Sequence, residues 1–254
     1  IGLGFPLAVL HDVRQLVAMD VFGQIAQGFV ASLHSESLLW LLAAIGVSIA
    51  SRYSMGNYRR FLDKAASRVG KVTLDSFGLT LRTLLWSVWV SLPAPVLLAA
   101  VGYSLLNAWA YPVAIAFGES LINLVIVISL FVITANFARA KGLFIVHFGW
   151  DSKKVGRAMR YYAVSLASFV PLWCVADTLS SLNDRQFNDT LVRLAFIGLC
   201  IVLMVLTASL RRTKVPLYLN AQGSGQNLIN YLLWGVVLAT PPLAILFTCL
   251  GYLS

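Results

Sequence analysis

Charge is what this sequence has least of. Asp, Glu, Lys and Arg make up 11% of its 254 residues, where a soluble domain carries roughly a quarter. With 59% hydrophobic residues and a mean hydropathy of +0.82, that scarcity excludes an ordinary soluble domain and leaves an integral membrane protein. Acids are scarcer still, 10 against 19 bases. The resulting +9 balance calls for no nucleic acid, because cytoplasmic loops of membrane proteins collect Lys and Arg without one. Cys174, Cys200 and Cys249 all lie inside apolar runs, where a thiol behaves as a small hydrophobe. His11, His34 and His147 are isolated. No His-Glu-x-x-His, Cys-x-x-Cys or Gly-x-Ser-x-Gly occurs, and Gly223-Ser-Gly225 lacks the Lys-Ser/Thr of a phosphate loop. The chain therefore reads as a non-enzyme, with no catalytic residue, metal or cofactor.

What is present is a series of apolar runs near the length of about 20 residues that a bilayer demands. They predict an all-α fold of about six spans, at 37–52, 83–106, 115–138, 161–179, 191–210 and 228–252. Residues 1–36 are more polar, with His11, Asp12, Arg14, Asp20 and Glu36. They read as an amphipathic segment at the outer face, following the end of another span. Beginning at Ile1 rather than Met, the chain reads as an excerpt of a longer polypeptide.

The bases are distributed unevenly. Segments 52–82, 139–160 and 211–226 hold seven, six and three of them, sixteen of the nineteen, and alternate with loops that hold almost none. By the positive-inside rule these three segments face the cytoplasm. Arg59, Arg60, Lys64, Lys141, Lys153, Lys154, Arg157, Arg160, Arg211, Arg212 and Lys214 are candidate contacts with anionic lipid, and Trp150 a ring at headgroup depth. Asp151 or Ser152 suits the cap of a short helix from Lys153, with an apolar stripe Val155, Met159, Tyr162.

Ionisable groups within spans are functional candidates by default. Asp177 and Arg193 fall near the outer ends of the fourth and fifth spans and are expected to pair. Pro93, Pro95, Pro171, Pro241 and Pro242 interrupt spans, each removing a backbone donor, so they read either as packing kinks or as hinges. A weak repeat sets Pro93…Tyr103 against Pro242…Tyr252. A rival reading, a secondary transporter or lipid-handling protein, would need a polar site at the membrane midplane.

The strings Phe137-Ala-Arg-Ala-Lys-Gly-Leu-Phe-Ile-Val-His-Phe-Gly-Trp150, Met159-Arg-Tyr-Tyr162, Asn183-Asp-Arg-Gln-Phe187 and Pro216-Leu-Tyr-Leu-Asn-Ala-Gln-Gly-Ser-Gly-Gln-Asn227 resemble the large bacterial relatives of the MscS mechanosensitive channel, of the MscK and MscM type. The resemblance runs from about residue 37 to 254. It implies a homoheptamer in the inner membrane that opens under tension on hypo-osmotic shock. It also implies that the Gly/Ala-rich pore helix and cytoplasmic vestibule lie in the remainder of the polypeptide. These residues would then be the peripheral hairpins that meet the lipid.

Overall fold

A computed structural model describes residues 5–33, 35–69, 77–182, 187–213 and 228–250. Nine α-helices cover most of them: α1 Phe5–Ala18, α2 Val21–Ser32, α3 Ser35–Ala66, α4 Phe77–Ser91, α5 Pro93–Leu106, α6 Pro112–Phe137, α7 Ser152–Ser181, α8 Arg193–Thr213 and α9 Leu228–Leu250. Two short π-helical turns, Leu143–His147 and Asn188–Val192, precede α7 and α8. No strand occurs among the described residues.

Five helices are long and apolar enough to cross a membrane: α3, α6, α7, α8 with its π turn, and α9. Taken as one span, the pair α4 and α5, bent by 42°, makes a sixth. The spans therefore match the expected number but not all the expected boundaries. The 32-residue α3 continues well past Arg52, and at 1.5 Å per residue reaches about 48 Å, beyond a hydrocarbon core of about 30 Å. It persists because Tyr58, Leu62 and Ala65 form a buried helical stripe, with Tyr58 and Leu62 packed against Val90 and Trp86 of α4. Likewise α7 is one 30-residue helix rather than a short basic helix followed by a span. Asp151 caps it, accepting from the Lys153 and Lys154 amides at 2.7 and 3.2 Å. Val155 on the expected stripe is fully buried.

The spans stand in chain order. α3 packs on α5, α5 on α6, α6 on α7, α7 on α8 and α8 on α9. The first and last of this row, α3 and α9, share no substantial packing among the described residues. The tightest step is α5 to α6, where Gly102 and Gly118 face each other. A Cβ on Gly118 would lie 2.8 Å from the Gly102 carbonyl oxygen, so neither tolerates a side chain. Leu124, Phe169, Ala176, Ala195 and Leu199 form the core shared by α6, α7 and α8.

Residues 5–32 form two consecutive helices that pack on the ends of the spans opposite the basic segments. Asp20, in a left-handed conformation (φ 47°), divides the two helices and accepts from the Gly23 amide. Val9, Leu16 and Met19 pack on Leu179, Phe187 and Leu191. The buried Asp12 carboxylate accepts a hydrogen bond from the Thr190 hydroxyl, while α2 lies along α5 and α6.

Candidate functional site

The break between α4 and α5 is built from a missing donor. Pro93 has no N–H, so the Trp89 carbonyl loses the helical bond it would otherwise accept. Ser51 of α3, fully buried, fills the gap by donating its hydroxyl to that oxygen at 2.9 Å. The Leu92 amide reaches the same oxygen at 3.3 Å. One turn earlier, Ser48 lies 3.5 Å from the Pro93 carbonyl oxygen while bonding its own Ala44 carbonyl at 2.7 Å. Pro95, buried in the first turn of α5, removes a second donor. The bend is thus clasped to the neighbouring helix.

A polar seam continues from this clasp toward the basic end. Thr83, Ser87 and Ser91 recur every four residues on α4 and are all buried. The Tyr58 hydroxyl meets that of Ser87 at 2.7 Å. Asn136 of α6 donates to Ser91 at 2.7 Å, and the Arg139 guanidinium donates to Asn136 at 2.7 Å. At the lower end His147 lies 2.9 Å from Thr80 and 3.4 Å from Thr83 through its two ring nitrogens. The seam therefore joins α3, α4, α6 and the turn before α7. Hydroxyls, an amide, a guanidinium and an imidazole make these links among the described residues.

That turn is where the basic string folds. Lys141 is left-handed (φ 73°). A Cβ on Gly142 would sit 2.6 Å from the Phe137 carbonyl oxygen. The Phe144 and Trp150 rings stack at 4.6 Å, Phe137 meets Phe144 edge-on at 5.8 Å, and Leu143 is buried. Trp150 is therefore held against its own turn, with its indole nitrogen buried. Lys141 pairs with Asp63 of α3 at 2.8 Å, an exposed contact that contributes little, about 0–1 kcal/mol. Arg59, Arg60, Lys64, Lys153, Lys154, Arg157, Arg160, Arg211 and Arg212 are all exposed on helix surfaces at this end. Lys214 lies outside the described residues, as do Lys71, His34 and residues 183–186 and 214–227.

One expectation needs correction. Asp177 and Arg193 do not pair: Asp177 accepts from Asn123 of α6 at 2.9 Å, and Arg193 bonds Asp189 at 2.8 Å. Each has a polar partner nearer than the other. The prolines also differ in their effect. α7 runs unbroken through Pro171, and Ser168 donates to the Val164 carbonyl at 3.3 Å. α9 likewise runs through Pro241 and Pro242. Only Pro93 stands at a break among the described residues, so the sequence likeness between Pro93 and Pro242 does not extend to their local structure.

Sequence reasoning passed over Ser51, Tyr58, Ser87, Ser91 and Asn136. The signal available was the four-residue spacing of Thr83, Ser87 and Ser91, which puts hydroxyls on one face of an apolar helix.

A family model described as mechanosensitive ion channel inner membrane domain 1 matches residues 37–254. The miniconductance mechanosensitive channel MscM of Escherichia coli (strain K12) is 44% identical over 253 residues, which cover 99% of this chain and 23% of that protein. The chain thus spans under a quarter of the length of that relative. No solved structure gives a significant match. The family match begins within the first turn of α3 and includes the break, the seam and every span, so the chain belongs to the MscS family of mechanosensitive channels, as part of their inner-membrane region.

Proposed function

We propose that this chain is the peripheral, lipid-facing, tension-sensing part of a mechanosensitive ion channel whose pore and cytoplasmic vestibule are carried by the rest of the polypeptide. The observation that carries this reading is the open row of spans, one of them broken at Pro93 and clasped to its neighbour by Ser51. Among the described residues the ends of this row are not packed together, and such an open row leaves both flanks to lipid. Leu130 and Val164, each more than 60% exposed, show how apolar those flanks are.

Tension biases a protein only when its states differ in free energy with the bilayer. A span bent at a fixed point changes its height and tilt by changing the bend, which alters its match to the hydrocarbon thickness. In this reading the clasped bend is the resting arrangement. The exposed cations hold the basic end at the anionic cytoplasmic leaflet, at about 1 kcal/mol for each well-placed residue. The domain organisation follows: residues 1–36 cap the outer end, and 37–254 form the sensing region with basic segments inside the cell. The assembly would be a homoheptamer opened by hypo-osmotic shock.

Patch-clamp of the full-length polypeptide under suction tests this. The reading requires tension-activated currents from the whole polypeptide and none from residues 1–254 reconstituted alone. Currents from the fragment would put the pore in this chain, and silence of the whole would remove the channel reading.

A further inference from the structure

A cleft of about 580 Å³ opens at the surface between α3, the α4–α5 break and α6. Its walls change character in one direction. Along α3 the lining runs Ile45, Ile49, Arg52, and along α6 it runs Val132, Ala135, Arg139. Both helices travel toward the basic end, so each wall brings an arginine to the cleft after its aliphatic residues. Leu97 of α5 lines the cleft one turn beyond Pro93, so the bend that parts α4 from α5 also borders the space.

The two arginines are differently held. Arg52 is exposed and has no hydrogen bond or ion pair among the described residues. Arg139 is half-buried and spends its Nε–H on Asn136. That bond orients its guanidinium and leaves the remaining donors of the fork without a partner among the described residues. Neither has a carboxylate partner among the described residues. Such a pair fits a phosphate oxygen, which a guanidinium takes through two parallel N–H bonds.

We infer that this cleft is a binding site for one anionic glycerophospholipid, its phosphate between Arg52 and Arg139 and an acyl chain along Ile45, Ile49, Leu97 and Val132. The site goes beyond the diffuse cationic rim, since both arginines line one cleft together with apolar side chains, and it rests only on the chain's place in a membrane. A chain that leaves the bilayer for the cleft exchanges one apolar surround for another. Selectivity therefore comes from the headgroup, and the site prefers a net negative one.

Native mass spectrometry of the full-length polypeptide, purified in micelles of mixed phosphatidylglycerol and phosphatidylcholine, counts the retained lipid. We expect phosphatidylglycerol to be kept in preference. Arg52→Gln with Arg139→Gln should lower that retention about tenfold or more. Ile49→Trp, at an exposed position on the apolar wall, should lower retention of both lipids. Arg59→Gln with Arg60→Gln removes the same charge from the exposed surface outside the cleft and should lower retention by much less than the cleft double variant. Equal loss in the two double variants would replace the site with a general surface attraction. Displacement by inorganic phosphate alone would make it a free-anion site, and unchanged retention in all variants would remove it. The lipid count is independent of conductance, so it stands or falls apart from the channel reading.

Discussion

Ser51 on α3 donates to the Trp89 carbonyl on α4, the same oxygen that Pro93 leaves without a helical partner. A proline defect in one span is thereby satisfied by a hydroxyl on the next. This explains why the break is a defined 42° bend rather than a loose joint. An unsatisfied carbonyl at membrane depth is expensive, and an interhelical bond is the available remedy.

Restoring the donor should reduce the bend. Pro93→Ala gives residue 93 an N–H for the Trp89 carbonyl, and the helical ladder can close across the break. Spin labels at Leu81 and Tyr103, both exposed, should move apart by about 2 Å, the difference between a straight helix of that length and one bent at its middle. An unchanged distance would mean that tertiary packing, not Pro93, sets the bend.

The seam should behave as a set of modest bonds with one junction. Tyr58→Phe removes one hydroxyl and should cost about 0.6 kcal/mol, and no more than about 1.7. Asn136→Leu cuts the links to both Ser91 and Arg139 and should cost more than Tyr58→Phe. Unfolding of the full-length polypeptide in detergent by denaturant measures both. The opposite order would place the junction elsewhere.

Orientation is testable by labelling. With native thiols removed, cysteines at the exposed Ser180 or Ser181 should react with an impermeant reagent outside intact cells. A cysteine at Ser152 should react only once the inner membrane is breached. External labelling at Ser152 would invert the topology that the sixteen cations imply.

The start of α7 should depend on pH. The Lys154 amide, then that of Lys153, holds the Asp151 carboxyl below its ordinary value of 3.8. A group with a lowered folded pKa contributes stability that is full above the unfolded value and lost as pH falls through the folded one. Amide exchange at Lys153 and Lys154 should therefore quicken below the usual carboxylate range. Asp151→Asn keeps a cap oxygen and should abolish that dependence. Persistence of the effect in Asp151→Asn would assign it to another group.

Much of the fold was legible because bilayer length and Lys/Arg bias act on long stretches of sequence. The six apolar runs and the bases that alternate between them needed no tertiary information. Helix ends were harder. Hydropathy stops at Arg52, but Tyr58, Leu62 and Ala65 carry α3 on by packing against α4, a cause that lies outside the segment. The prolines show the same limit. Pro93, Pro171 and Pro242 are alike in sequence, yet among the described residues only Pro93 has a buried hydroxyl from another helix at the freed carbonyl. Which residue supplies that hydroxyl depends on two spans meeting at one level. The Asp177–Arg193 pairing failed for two reasons: Asn123 meets Asp177 from another span, and Asp189, four residues before Arg193, offered a local i,i+4 partner that the sequence did display.

The central claim is that the clasped bend resists tension. In patch-clamp of the full-length channel under graded suction, Ser51→Ala should open at lower tension than the unaltered protein, having lost an interhelical bond of about 0.6 kcal/mol in each subunit. Ser54→Ala is the control, since Ser54 bonds only the Ala50 carbonyl of its own helix, and its threshold should not move. A threshold in Ser51→Ala equal to that of the unaltered channel, with normal expression and assembly, would contradict the account.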